Sequence, residues 1–189
     1  MCEKSIDLVY NLQYNRDMTK VSRKIICLRI ILTLACIGVL VFIFSNSWAS
    51  ASASSASSSA VTDAVQSVVK VFAPNSFIAT AVGDDYKKLM SWVRTCAHFA
   101  EFALMGALFI WCYFSYTKRR RTLYIPLLGI LCVPFIDECI QLFSDGRAWE
   151  IADVLVDILG GISGAGFAVL VVGLLFWRGA VRKKRREEQ

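Results

Sequence analysis

The chain has 189 residues, 56% of them hydrophobic, with a formal net charge of +6 and a positive mean hydropathy. That balance excludes an ordinary small soluble domain. The apolar residues come in blocks, and four blocks approach the roughly 20 residues that a helix needs to cross about 30 Å of hydrocarbon. They lie at about 25–45, 97–116, 123–143 and 151–177. The sequence therefore predicts an all-α integral membrane bundle of four transmembrane helices.

Charge sorts by connection. Before the first block stand Lys4, Arg16, Lys20, Arg23 and Lys24; between the second and third, Lys118, Arg119, Arg120 and Arg121; in the tail, Arg178, Arg182, Lys183, Lys184, Arg185 and Arg186. Four crossings put these fifteen on one side, against five on the other (Lys70, Lys87, Lys88, Arg94 and Arg147). The positive-inside rule then places both termini in the cytoplasm. Residues 1–24 form a cytoplasmic segment, 25–177 the membrane domain and 178–189 a basic cytoplasmic tail. That tail reads as a topology and lipid-headgroup element, with no nucleic-acid partner implied. The seven cysteines show no C-x-x-C pair, and four of them fall inside apolar blocks, so small buried thiols are expected in place of a disulfide framework.

Taken in order, residues 1–24 carry no periodicity. The first span, Ile25 to Ser45, has Arg29 near its cytoplasmic end, and its length favours a retained anchor over a cleaved signal. The Ser/Ala tract 49–60 is too small and polar to bury much area and is expected as a flexible external linker. Val61, Val65, Val68, Val69 and Phe72 then recur near helical spacing, which predicts an amphipathic helix ending before Pro74. A further helical candidate, Asp84 to Trp92, feeds the second span. Phe77, Tyr86 and Trp92 favour a membrane-surface position for the external region 46–96.

The second span opens with Arg94, His98 and Glu101, spaced four and three apart and so on one helical face. A packed, satisfied histidine with Arg94 neutralising Glu101 is the structural alternative to a functional site. The third span carries Pro134, which removes a backbone donor just before Asp137 and Glu138. Gln141 lies three and four residues beyond these acids. A tight turn through Asp145, Gly146 and Arg147 leads to the fourth span, where Asp153 and Asp157 are again four apart. The Gly160-x-x-x-Gly164 spacing that follows predicts close helix packing.

Depth connects these residues. At about 1.5 Å per residue, Glu101 lies about 6 Å inside span two, and Asp137 and Asp157 each about 9 Å inside spans three and four. All three depths are counted from the same, external end. Each charge facing lipid costs about 2.5–3.5 kcal/mol on insertion scales, so the residues should face one another. Arg94, His98, Glu101, Asp137, Glu138, Gln141, Arg147, Asp153 and Asp157 are accordingly predicted to form one external polar pocket. Such a pocket suits binding of a headgroup, acid/base chemistry by His98 and a carboxylate, or simple helix registration. No cofactor is required, although His98, Glu101, Glu138 and Asp153 offer the donor types for a divalent metal. No serine or cysteine stands in a nucleophile motif.

The runs RTCAHFAEF (94–102), DECIQLF (137–143), Gly146-Arg147 and DVLVDILG (153–160), with Phe44-Ser45 closing the first span, resemble the VanZ-like family of bacterial membrane proteins. The chain differs where that family often has histidine (Ile140 here), proline (Asp145) and glutamine (Ser47). The resemblance implies a multi-pass protein of the bacterial cytoplasmic membrane, of the type linked to low-level glycopeptide (teicoplanin-class) resistance. The expected function is a pocket that affects lipoglycopeptides or lipid-linked cell-wall material at the cell surface. The alternative is an acid/base or metal-assisted enzyme acting on a lipid-linked substrate at the outer leaflet.

Overall fold

The structure, a computed structural model, describes residues 23–117 and 122–187. The leader through residue 22 and the basic connection 118–121, on which part of the charge argument rests, lie outside the described residues, as do the last two residues.

Six helices follow one another: α1 (Arg23–Trp48), α2 (Ala51–Phe72), α3 (Phe77–Thr80), α4 (Asp84–Tyr116), α5 (Tyr124–Gln141) and α6 (Ile151–Glu187). Among the described residues there is no strand. Four helices, α1, α4, α5 and the Ile151–Leu175 part of α6, are long and apolar enough to cross a membrane. Most of their Ile, Leu and Val side chains point outward, as lipid-facing residues must. The protein is a multi-pass membrane protein of all-α class.

The core explains how the four helices are arranged. Val39 and Ile43 of α1 meet Phe102, Met105 and Ile110 of α4, Ile130 and Val133 of α5, and Ala165 and Ala168 of α6. The most extensive pairing joins α4 to α6. Here backbones touch: a Cβ placed on Gly164 would lie 1.8 Å from the Ala103 carbonyl oxygen, and one on Gly106 would lie 2.0 Å from that of Gly161. Only glycine permits such an approach, so the small-residue spacing around Gly160 and Gly164 is a packing seam, as predicted. Pro134 is accommodated inside α5 without ending the helix.

The two ends of the bundle are chemically distinct. At one end, Arg29 Nε donates to the Ser115 carbonyl at 2.8 Å, and its guanidinium lies 5.0 Å from the centre of the Tyr116 ring. The carbonyl belongs to the last turn of α4, where no intrahelical donor remains, so Arg29 caps that helix as well as reaching the membrane boundary. At the other end, Ala51 N–H donates to the Asp145 carbonyl at 3.0 Å and Ser144 Oγ to the Ser47 carbonyl at 2.8 Å. These bonds lash the exit of α1 to the α5–α6 turn. Gly146, at φ 74°, supplies the left-handed residue that the turn requires.

The region between α1 and α4 departs from expectation. The Ser/Ala tract is helical from Ala51 onward, not an irregular linker, and runs without a break into the amphipathic segment. Ser50 caps it by accepting from Ala53 N–H at 3.3 Å. Gln66 Nε2 reaches the carbonyls of Ile78 (2.9 Å) and Ala81 (3.0 Å), and Tyr86 donates to Asp63 at 2.8 Å, so α2 folds back against α3 and the start of α4. The candidate helix at 84–92 and the second span form one continuous helix, α4.

Candidate functional site

The polar side chains gather at the Trp48 end of the bundle. From α5, Asp137 and Glu138 are buried to within 1% of full occlusion, and Gln141 is 2% exposed. Asp137 is held by the Ser47 hydroxyl on one oxygen and by Gln141 Nε2 on the other at 3.0 Å. Ser47 Oγ also lies 3.0 Å from the Ile43 carbonyl. The Gln141 bond follows from the four-residue spacing read in the sequence, whereas Ser47 comes from α1, 90 positions earlier.

Glu138 turns the other way. Its Oε1 accepts from Glu150 N–H at 2.6 Å, at the entry to α6, where free backbone donors and the positive end of the helix dipole favour a carboxylate. Its Oε2 has no hydrogen-bond partner. Asp153 occupies the first turn of the same helix.

Helix α4 supplies the facing wall. Glu101 accepts from Asn46 Nδ2 at 3.3 Å and makes no ion pair with Arg94 among the described residues. His98 Nδ1 lies 3.8 Å from Asp157 Oδ1, beyond hydrogen-bond range, and each of these atoms is buried without a hydrogen-bond partner. Arg147, on the turn after α5, buries Nε and Nη1, also without partners. Burial first, and then the neighbouring Arg94 charge, lower the Arg147 pKa from its usual value. The charge itself persists at neutral pH, because guanidinium ionises so far above it.

Two cavities flank this cluster. One of about 290 Å³ lies between α1, α2 and α4, with Arg94, His98, Glu101 and Arg147 in its wall beside Asn46 and serines 54, 57 and 58. The other, of about 200 Å³, is bounded by Arg94, His98, Glu150, Asp153 and Asp157. Arg94 and His98 belong to both walls, which makes them the partition between the two spaces.

Of the nine residues read from the sequence, Arg94, His98, Glu101, Arg147, Asp153 and Asp157 line one or other cavity, whereas Asp137, Glu138 and Gln141 are buried and line neither. His98, Asp137 and Asp157 each offer a ligand atom, and these atoms lie within 4.8 Å of one another. The sequence offers His98, Glu101, Glu138 and Asp153 as donor types for a metal; among the described residues the converging set shares only His98 with these four. Asn46, Ser47 and Glu150 were not anticipated. Their signal was weak: two polar residues at the exit of an apolar span, and an acid just before a helix start.

The VanZ/LLP1 family model matches residues 30–173, a stretch that holds all nine predicted residues and both of their α1 partners. Searches of curated proteins and of solved structures returned no match.

Proposed function

The chain belongs to the VanZ/LLP1 family, and from that premise we propose that it is an accessory protein of the bacterial cytoplasmic membrane. In this reading the Trp48 end of the bundle faces outward, and its pocket engages the polar part of lipid-linked cell-wall material or of a lipoglycopeptide. The observation that carries it is the set of buried, unpartnered groups around the larger cavity. Arg147 keeps two donor nitrogens in hand, and Arg94 and the α2 serines share the same wall. Buried donors without partners are costly, and an anionic or hydroxyl-rich headgroup would satisfy them. Trp48 and Phe143, exposed apolar residues at this end, suit an interface where such a headgroup is met.

The test is expression in a glycopeptide-sensitive bacterium, with surface binding of a fluorescent lipoglycopeptide and growth inhibition as readouts. The wild-type chain should lower both binding and susceptibility. The Arg94→Gln/Arg147→Gln double variant, inserted at equal level, should restore them. Unchanged binding and susceptibility with the wild-type chain would remove the reading.

A second reading has one observation of its own. His98 faces Asp157 across 3.8 Å beside a cavity, the arrangement of an imidazole and its orienting acid. Turnover of a lipid-linked precursor by purified protein, lost in His98→Gln, would favour an enzyme over a binding protein.

A further inference from the structure

We propose that His98 Nδ1, Asp137 and Asp157 form a binding site for a divalent first-row transition metal ion. The inference does not depend on the headgroup reading above.

Two observations support it. The donor atoms lie within 4.8 Å of one another, and His98 Nδ1 and Asp157 Oδ1 are 3.8 Å apart. Metal–ligand bonds of about 2.0–2.2 Å place donors about 3–4 Å apart, so an inward shift of about 1 Å or less completes the set. Next, Asp157 is 1% exposed, yet its Oδ1 has no hydrogen-bond partner, and the histidine nitrogen that it faces has none either. A buried carboxylate oxygen and an imidazole nitrogen 3.8 Å apart, neither with a hydrogen-bond partner, would both be satisfied by a cation held between them.

The surroundings have the form of an outer shell. Ser47 and Gln141 hold the Asp137 carboxylate in place, as hydrogen-bond donors commonly do for metal-ligating acids. His98 and Asp157 border the 200 Å³ cavity, so coordination positions beyond the three protein ligands open onto space where water or a substrate oxygen fits. One imidazole with two carboxylates is a borderline donor set. It favours zinc, cobalt or manganese over magnesium or calcium, which prefer oxygen alone.

His98 is the only histidine in the chain, and this makes the test direct. Full-length protein with a histidine-free affinity tag is labelled with ¹⁵N-histidine, stripped with chelator in detergent micelles and titrated with Zn²⁺. One equivalent should shift the Nδ1 resonance while leaving Nε2 a separate, unligated signal. Asp157→Asn should weaken Zn²⁺ binding by at least about a hundredfold, and Ser47→Ala, which loosens an outer partner, by about 10–100-fold. An Nδ1 signal unmoved by ten equivalents overturns the proposal, as does an equal shift in Asp157→Asn or a response to Ca²⁺ alone. If Asp157→Asn fails to fold, the wild-type titration still decides whether His98 binds, and the intensity of the Co²⁺ d–d bands decides whether the ion sits in a protein site of low coordination number or stays six-coordinate as in water.

Discussion

Ser47 shows how much rests on one small side chain. It is 1% exposed at the exit of an apolar helix. From there its hydroxyl reaches Asp137, an acid with no exposure at all. Removing the hydroxyl leaves a carboxylate oxygen short of a donor in a site closed to bulk water. Ser47→Ala should therefore destabilise the protein by about 1–3 kcal/mol, while Ser47→Thr, which keeps the donor, should cost less than about 1 kcal/mol. Thermal unfolding in a mild detergent separates the two, and equal melting of both variants would show that the bond contributes nothing. Neighbouring residues illustrate what sequence can and cannot disclose at this scale. The Asp137–Gln141 bond is legible because four residues make one helical turn. The choice of His98, Asp137 and Asp157 over His98, Glu101 and Glu138 is not. It is decided by how α4, α5 and α6 pack, which among the described residues brings the ligand atoms of the first three within reach of one another.

At the scale of the helix, α6 carries two kinds of glycine that spacing alone does not distinguish. Gly164 lies against the α4 backbone, where an added Cβ would overlap the Ala103 carbonyl at 1.8 Å; Gly173 has nothing within 4 Å. Gly164→Ala should force α4 and α6 apart, at a cost of about 1–3 kcal/mol or more. Gly173→Ala should instead stabilise by up to about 1 kcal/mol, since alanine is the better helix former. Opposite shifts in melting temperature from the same substitution on one helix would verify the seam, whereas matching shifts would refute it. The four spans and this seam were readable from apolar block length and glycine spacing. The second half of α2 was readable from its apolar spacing, but the helical start at 51–60 was not, because a Ser/Ala tract has too little apolar surface to announce a partner. Its order comes from the Ser50 cap, from Gln66 bonded to two distant carbonyls, and from Tyr86 on Asp63. None of these contacts leaves a periodic trace.

For the whole molecule, orientation is the property on which function turns. The hydrogen bonds from Ala51 to Asp145 and from Ser144 to Ser47 fix the α1 exit and the α5–α6 turn at one end, while Arg29 and Ser115 meet at the other. Any experiment that locates one of these ends locates the polar cluster with it. The excess of basic residues in the leader, the 118–121 connection and the tail predicts that the cluster end faces outward. On a background without cysteines, Ser52→Cys and Asp145→Cys, both at exposed positions, should react together with a membrane-impermeant maleimide applied to intact cells. Arg185→Cys, exposed near the far end of α6, should react only after permeabilisation. Discordant labelling of residues 52 and 145 would contradict the hydrogen-bonded junction between them. Concordant labelling from inside would preserve the fold and the metal site but turn the pocket toward the cytoplasm. A role at the outer surface would then be ruled out, because a bulky, polar lipoglycopeptide does not cross the bilayer to reach it.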